Sequence, residues 1–150
     1  MRPSRKIDRK HAFCLIFQQD FNAFEDATDA LDYYLENFAE EGASEPDFIL
    51  DEVRGVYENL EVIDGHIAET SSAWDISRIS KADLAIMRLA VYEILHDEKI
   101  PDGSSINEAV ELAKAFSGED AGKFVNGVLG KIVRSVKEGE DTNADADKSL

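Results

Sequence analysis

Residues 84–95 read Leu84-Ala85-Ile86-Met87-Arg88-Leu89-Ala90-Val91-Tyr92-Glu93-Ile94-Leu95. The apolar side chains do not alternate with polar ones, so the stretch is not a half-buried strand. Wound as an α-helix, it is apolar around most of its circumference, the pattern of a helix at the centre of a domain. Ser80, with Asp83 three residues on, supplies a capping signal at its start. Arg88 sits in this apolar run and must be partly buried against an acid. Asp83, five residues earlier, is poorly placed for that role, and no other partner is legible.

The segments outward from this helix are helical too. Towards the N-terminus, a first helix is predicted from a cap at Asp8, with Phe13, Ile16 and Phe17 on one stripe and Cys14 as packing. A second carries Ala27, Ala30, Leu31, Tyr34, Leu35 and Phe38 and ends before Gly42. Ser44-Glu45-Pro46-Asp47 reads as a cap followed by proline and an acid in the first turn. A third, continuous helix is predicted through Ile49, Val53, Val56, Tyr57, Leu60, Ile63 and Ile67. Ser71, Ser72 and Trp74 mark a break. Towards the C-terminus, Pro101-Asp102-Gly103 is a turn. Ser105 and Glu108 form a capping box for a helix with Ala109, Val110, Leu112, Ala113 and Phe116 inside. Ser117-Gly118 ends it. Glu119 and Asp120 then open a last helix, where acids complement the macrodipole, with Phe124, Val125, Val128, Leu129, Ile132, Val133 and Val136 on its stripe. The fold class is all-α: six or seven helices around one core, spanning 1–137. Residues 138–150 have almost no apolar content and are expected to form a disordered acidic tail.

The chain has 150 residues, enough for one domain with a sizeable core. Its single cysteine, Cys14, excludes an intrachain disulfide and a Cys-based zinc finger. No apolar run approaches the length of a membrane span, and no apolar segment follows the basic first residues as in a signal peptide. A soluble protein of a reducing compartment, the cytoplasm, is expected. His11, His66 and His96 are far apart and none lies in a metal-binding motif. Gly118-Glu119-Asp120-Ala121-Gly122-Lys123 is one residue short of a phosphate loop and has no Ser or Thr after Lys123. No enzyme activity, cofactor or metal is expected.

The net charge of −16 excludes a generally basic nucleic-acid coat, but the charge is uneven. Residues 1–17 carry Arg2, Arg5, Lys6, Arg9 and Lys10 against Asp8 alone, whereas Arg54 is the only Lys or Arg in the strongly acidic segment 18–70. Screening acts over about 8 Å at physiological salt. An anion near the N-terminus therefore feels the cationic segment more than the distant acids.

Three stretches together resemble the NusB family of transcription antitermination proteins. They are Ile106-Asn107-Glu108-Ala109-Val110-Glu111-Leu112-Ala113-Lys114 with Gly118 to Leu129, the central helix from Leu84 to Glu93, and the basic first helix. The resemblance spans about residues 5–136. It implies two packed three-helix bundles. It also implies binding to the single-stranded boxA element of nascent ribosomal-RNA transcripts, jointly with the ribosomal protein NusE, and association with the elongating RNA polymerase complex, as a monomer or homodimer. On the same resemblance, Arg5, Lys6 and Arg9 match the arginine-rich arm that contacts RNA, and Lys10 extends it. Lys123 and Phe124 match the Lys-Phe pair beside that arm, Asp120 an acidic position bordering it, and Arg88 the basic residue of the central helix. Phe17 and Asp83 fall at positions facing NusE. Charge reversal at Arg5, Lys6 and Arg9 is expected to abolish RNA binding without lowering thermal stability.

The chain departs from the family pattern where Ala121-Gly122 replaces a common Ser-His pair, in its fewer consecutive arginines, and in its acidic 18–70 segment. Two rival classes are an RNA-free interaction module and an accessory domain of an rRNA-modifying system. A methyltransferase activity is not expected, since no Rossmann-type glycine motif is present.

Overall fold

The Oγ of Ser80 accepts a hydrogen bond from the Asp83 amide at 3.1 Å and so starts the central helix, Lys81–His96, as its spacing predicts. The computed structural model describes residues 3–19, 27–37, 39, 41–71 and 76–148. Among these there are seven α-helices, one short 3-10 turn at Ile76–Arg78 and no strand. The helices are α1 (Pro3–Gln19), α2 (Ala27–Asn37), α3 (Pro46–Glu58), α4 (Leu60–Thr70), α5 (Lys81–His96), α6 (Asp102–Ser117) and α7 (Glu119–Lys148). Helix α5 is the axis. It packs against α1, α3, α4, α6 and α7. Its residues from Asp83 to Val91 are all buried, as an apolar circumference requires. The core gathers Phe13, Ile16, Leu31, Ile49, Val53, Ile63, Met87, Leu89, Leu129 and Ile132 around it.

Several local expectations differ from the structure, each for a physical reason. The first helix begins at Pro3, not at Asp8. Asp8 is buried, and its two carboxylate oxygens accept the backbone amides of Ser44 and Glu45, each at 2.9 Å. Its capping chemistry thus serves the start of α3, whose N-cap is Glu45 rather than Ser44, with Pro46 in the first turn. The single third helix is two helices. Asn59 stands between α3 and α4 at φ −114°, ψ 17°, and its side-chain amide donates to the Gly55 carbonyl at 2.8 Å. That carbonyl also accepts the Asn59 backbone amide at 3.1 Å. Asn competes for the helix's own backbone groups in this way, which is why it interrupts helices.

Helix α6 begins at Asp102, because the extended backbone of Pro101 lets its carbonyl take the amides of Ser104 and Ser105 directly. Pro101-Asp102-Gly103 is therefore the helix entry rather than a separate turn. The predicted capping box is absent: Ser105 is fully buried and Glu108 bonds elsewhere. Gly118 ends α6 at φ 107°, a conformation that favours glycine. The backbone of α7 stays helical past Gly139, where the sequence predicts a tail. Phe38, Ser72 and Trp74 lie outside the described residues, as do the side chains of 140–150.

Candidate nucleic-acid interface

The cationic N-terminal segment is a helix docked on the core. Its residues reach α3, α5 and α6 one by one, because positions three and four apart share a helix face. Arg5 donates from Nη2 to Glu45 at 2.9 Å, and its guanidinium carbon lies 3.7 Å from the centroid of the Phe48 ring. Lys6 sits 3.2 Å from Glu108 and 3.6 Å from Glu111 of α6. The hydrogen bond to Glu108 holds its ammonium above the ordinary lysine range. Arg9 is 1% exposed and shares Ala12, Phe13 and Ile16's side of α1. Its Nε donates to both carboxylate oxygens of the buried Glu93, at 3.0 and 3.1 Å, and its Nη2 donates to Glu93 as well. Lys10 is exposed and lies 5.9 Å from the centroid of Phe116. Among the described residues Lys10 forms no ion pair.

The four cations that match the family's arm thus stand in different surroundings. Lys10 is outward and unpaired, Arg5 and Lys6 are held by acids near the surface, and Arg9 lies inside the protein. The acids that hold them come from α3, α5 and α6, and no local spacing announces them.

Arg88 does find an acid partner, the partly exposed Asp64. Its Nε and Nη2 donate to the two oxygens of Asp64, both at 2.9 Å, and so clamp α5 to α4. This is a fork-on-carboxylate geometry. Arg88 is 8% exposed, so its charge is spent within the fold rather than offered at the surface.

The structure does bring together three residues that the sequence singles out for two different partners. Asp83, Asp120 and Phe124 line one groove of about 460 Å3 with Arg78, Ser80 and Ser117. Asp83 is largely buried, and its Oδ1 has no hydrogen-bond partner among the described residues. Phe124 is half-buried. It packs on the core and still presents part of its ring to the groove. Lys123 is exposed next to it on the first turns of α7. Phe17 is half-buried against Phe13 and does not line this groove.

Gly122 gives room for a neighbour. A Cβ there would lie 2.7 Å from Cγ of Lys114, so the Lys114 stem lies across the start of α7. The Ala-Gly departure from the family pattern thus places an exposed cation of α6 against this helix end.

Phe116 is the residue whose role the sequence misses. Its spacing from Ala109 and Ala113 predicts core, yet it is 49% exposed. The last turn of α6 leaves the ring edge-on to Phe13, with centroids 5.0 Å apart. Among the histidines, His11 is buried and hydrogen-bonded to Tyr34 at 2.9 Å, and His96 lies beside Tyr92. Among the described residues, no cluster of His, Cys, Asp or Glu has metal-holding geometry, and no helix is long and apolar enough to cross a membrane.

The family model described as the NusB family matches residues 6–134. The transcription antitermination protein NusB of Acetivibrio thermocellus is 45% identical over 147 residues, covering 98% of this chain and 97% of that protein. The protein of the same name from Clostridium acetobutylicum is 42% identical, covering 90% of this chain and 98% of that one. Among solved structures, NusB of T. maritima is 35% identical with a TM-score of 0.77, covering 89% of this chain and 93% of that one. A structure of antitermination factors NusB and NusE in complex with double-stranded RNA matches with a TM-score of 0.78 and 26% identity, covering 90% of this chain and 99% of that one.

Proposed function

This chain belongs to the NusB family, and on that premise we propose that it is a transcription antitermination factor. In this reading it binds the boxA element of nascent ribosomal-RNA transcripts together with NusE, and the pair joins elongating RNA polymerase in the cytoplasm. It acts by binding and is not an enzyme. The observation that carries the reading is the groove shared by Asp83, Asp120 and Phe124, beside the exposed Lys123. Sequence-specific RNA recognition reads unstacked bases on aromatic and guanidinium planes, and Phe124 offers such a plane in a groove that Arg78 also lines, next to the exposed Lys123.

The roles divide by position. Lys10 and Lys123 meet phosphates, and Phe124 meets a base with Asp120 at its border. Arg5 and Lys6 reach RNA by exchanging Glu45 and Glu108 for phosphate oxygens. Arg9 and Arg88 hold the helices that present the others. Asp83 and Phe17 face NusE. The chain acts as a monomer or homodimer.

One observation favours a second reading, an RNA-free interaction module: Arg5, Lys6 and Arg9 are all neutralised by the protein's own carboxylates. Transcription in vitro separates the two. Adding the chain and NusE to polymerase on a terminator template should raise read-through only when the transcript carries boxA. Read-through that ignores boxA would reject the antitermination reading.

A further inference from the structure

Ser117 lines the groove described above, and its neighbour Phe116 lines a second cavity of about 360 Å3 between α1, α2 and the end of α6. Lys10, His11, Cys14, Tyr34 and Glu41 line it too. Its volume is at the small end of ligand pockets, which is room for one ring system. Its lining is chemically mixed in a particular way. Phe116 is the exposed aromatic, with the ammonium of Lys10 5.9 Å from its ring centroid. His11 is 4% exposed, its Nδ1 is 2.9 Å from the Tyr34 hydroxyl, and its Nε2 has no partner among the described residues.

The Tyr34 hydroxyl also meets the Cys14 thiol. The hydroxyl has one proton for two neighbours, the His11 Nδ1 and the Cys14 sulfur. His11, Tyr34 and Cys14 thus give the cavity a polar wall, in which the buried, unpartnered Nε2 carries a desolvation penalty. Glu41 at the rim accepts from amino groups.

We propose that this cavity receives one nucleobase of a bound single-stranded RNA, laid on Phe116, with Lys10 at its phosphate and the His11–Tyr34 pair at its polar edge. The inference rests on the RNA-binding reading above and adds a second base site beyond Phe124. A base brings the flat ring, the polar edge and the adjacent anion that this lining complements, and aromatic stacking with edge hydrogen bonds is how unpaired bases are held. A free nucleotide has the same chemistry, so the test separates the two sources.

The test pairs Phe116→Leu with a boxA RNA scanned by single abasic substitutions. Phe116 is exposed, so the variant keeps its fold, which a thermal melt verifies. Phe116→Leu should weaken intact RNA by about tenfold. At one abasic position, wild type and variant should bind equally, because the base that Phe116 holds is gone. If Phe116→Leu weakens every abasic RNA by the same factor as intact RNA, or weakens none, the inference fails while the RNA-binding reading stands. If wild type binds none of the RNAs, that reading falls and the inference with it.

Cys14, the chain's only thiol, gives an independent measurement on wild type. Saturating RNA should slow its alkylation by iodoacetamide several-fold. Unchanged alkylation overturns the proposal. Equal protection by free nucleoside monophosphates would assign the cavity to a nucleotide ligand and overturn it as well.

Discussion

Arg9 of α1 and Glu93 of α5 form an ion pair sealed in the core, with side-chain exposures of 2% and 0%. Burial pushes the Glu93 carboxyl above the usual carboxylate range, and the Arg9 charge opposes that push. The pair fixes the cationic helix against the central one, so the residues around Arg9 face outward at set positions.

Removing one member of a buried pair leaves an uncompensated charge, which costs about 3–5 kcal/mol. Arg9→Ala should therefore lower stability by that order in urea denaturation. The double variant Arg9→Met, Glu93→Leu should recover most of it. The charge reversal of Arg5, Lys6 and Arg9 expected from sequence to spare stability should instead unfold the protein, because it puts two like charges in the core.

Glu52 of α3 is buried near this pair, and its Oε2 has no hydrogen-bond partner among the described residues. Desolvation, then the Glu93 charge, raise its pKa to about 8, with Arg9 opposing. The folded state therefore holds a proton that the unfolded chain releases near its ordinary value of 4.5. Stability should fall as pH rises between those two values and level off above them. Glu52→Gln should remove that slope. It should be more stable than wild type by a few kcal/mol at pH above about 8 and indistinguishable from it near pH 4. A series of denaturation curves across this range checks the sign.

Gly55 in α3 has no room for a side chain, because the Tyr92 ring of α5 occupies the place of a Cβ. Gly55→Ala should lower stability by about 1–3 kcal/mol despite alanine's better helix propensity. Gly55→Ala combined with Tyr92→Leu should recover part of the loss. Thermal melts of the single and double variants read this directly.

Lys10 is the cation of α1 that the fold leaves outward and unpaired among the described residues. Lys10→Gln should flatten the dependence of log affinity on log salt for single-stranded RNA by about 0.7, the loss of one phosphate contact. Stability should stay within about 0.5 kcal/mol. Arg88→Gln should do the reverse: it should lower stability by breaking the Asp64 clamp and leave the salt slope unchanged.

The fold was legible where the cause is local. An apolar circumference from Leu84 to Leu95 placed the central helix, Ser80 capped it, and Gly118 stopped α6. What stayed hidden depends on distant partners. Asp8 looks like a helix cap until residues 44 and 45 arrive at its carboxylate. The acid for Arg88 is Asp64, on another helix. The burial of Arg9 had a signal in its spacing: it stands three, four and seven residues before Ala12, Phe13 and Ile16, on their face. Its place in a cationic run pointed the other way, and charge composition outweighed periodicity. The site was half legible. Asp83, Asp120 and Phe124 do converge, whereas the spacing of Phe116 predicts core, because helical periodicity does not tell how much of a side chain its neighbours cover.

The most direct measurement is a fluorescence-anisotropy titration of a short boxA RNA and a scrambled control, each with and without NusE. Tighter binding to boxA than to the scrambled strand, strengthened by NusE and weakened by salt, is the result this account predicts. Equal or absent binding to both RNAs with NusE present would contradict it.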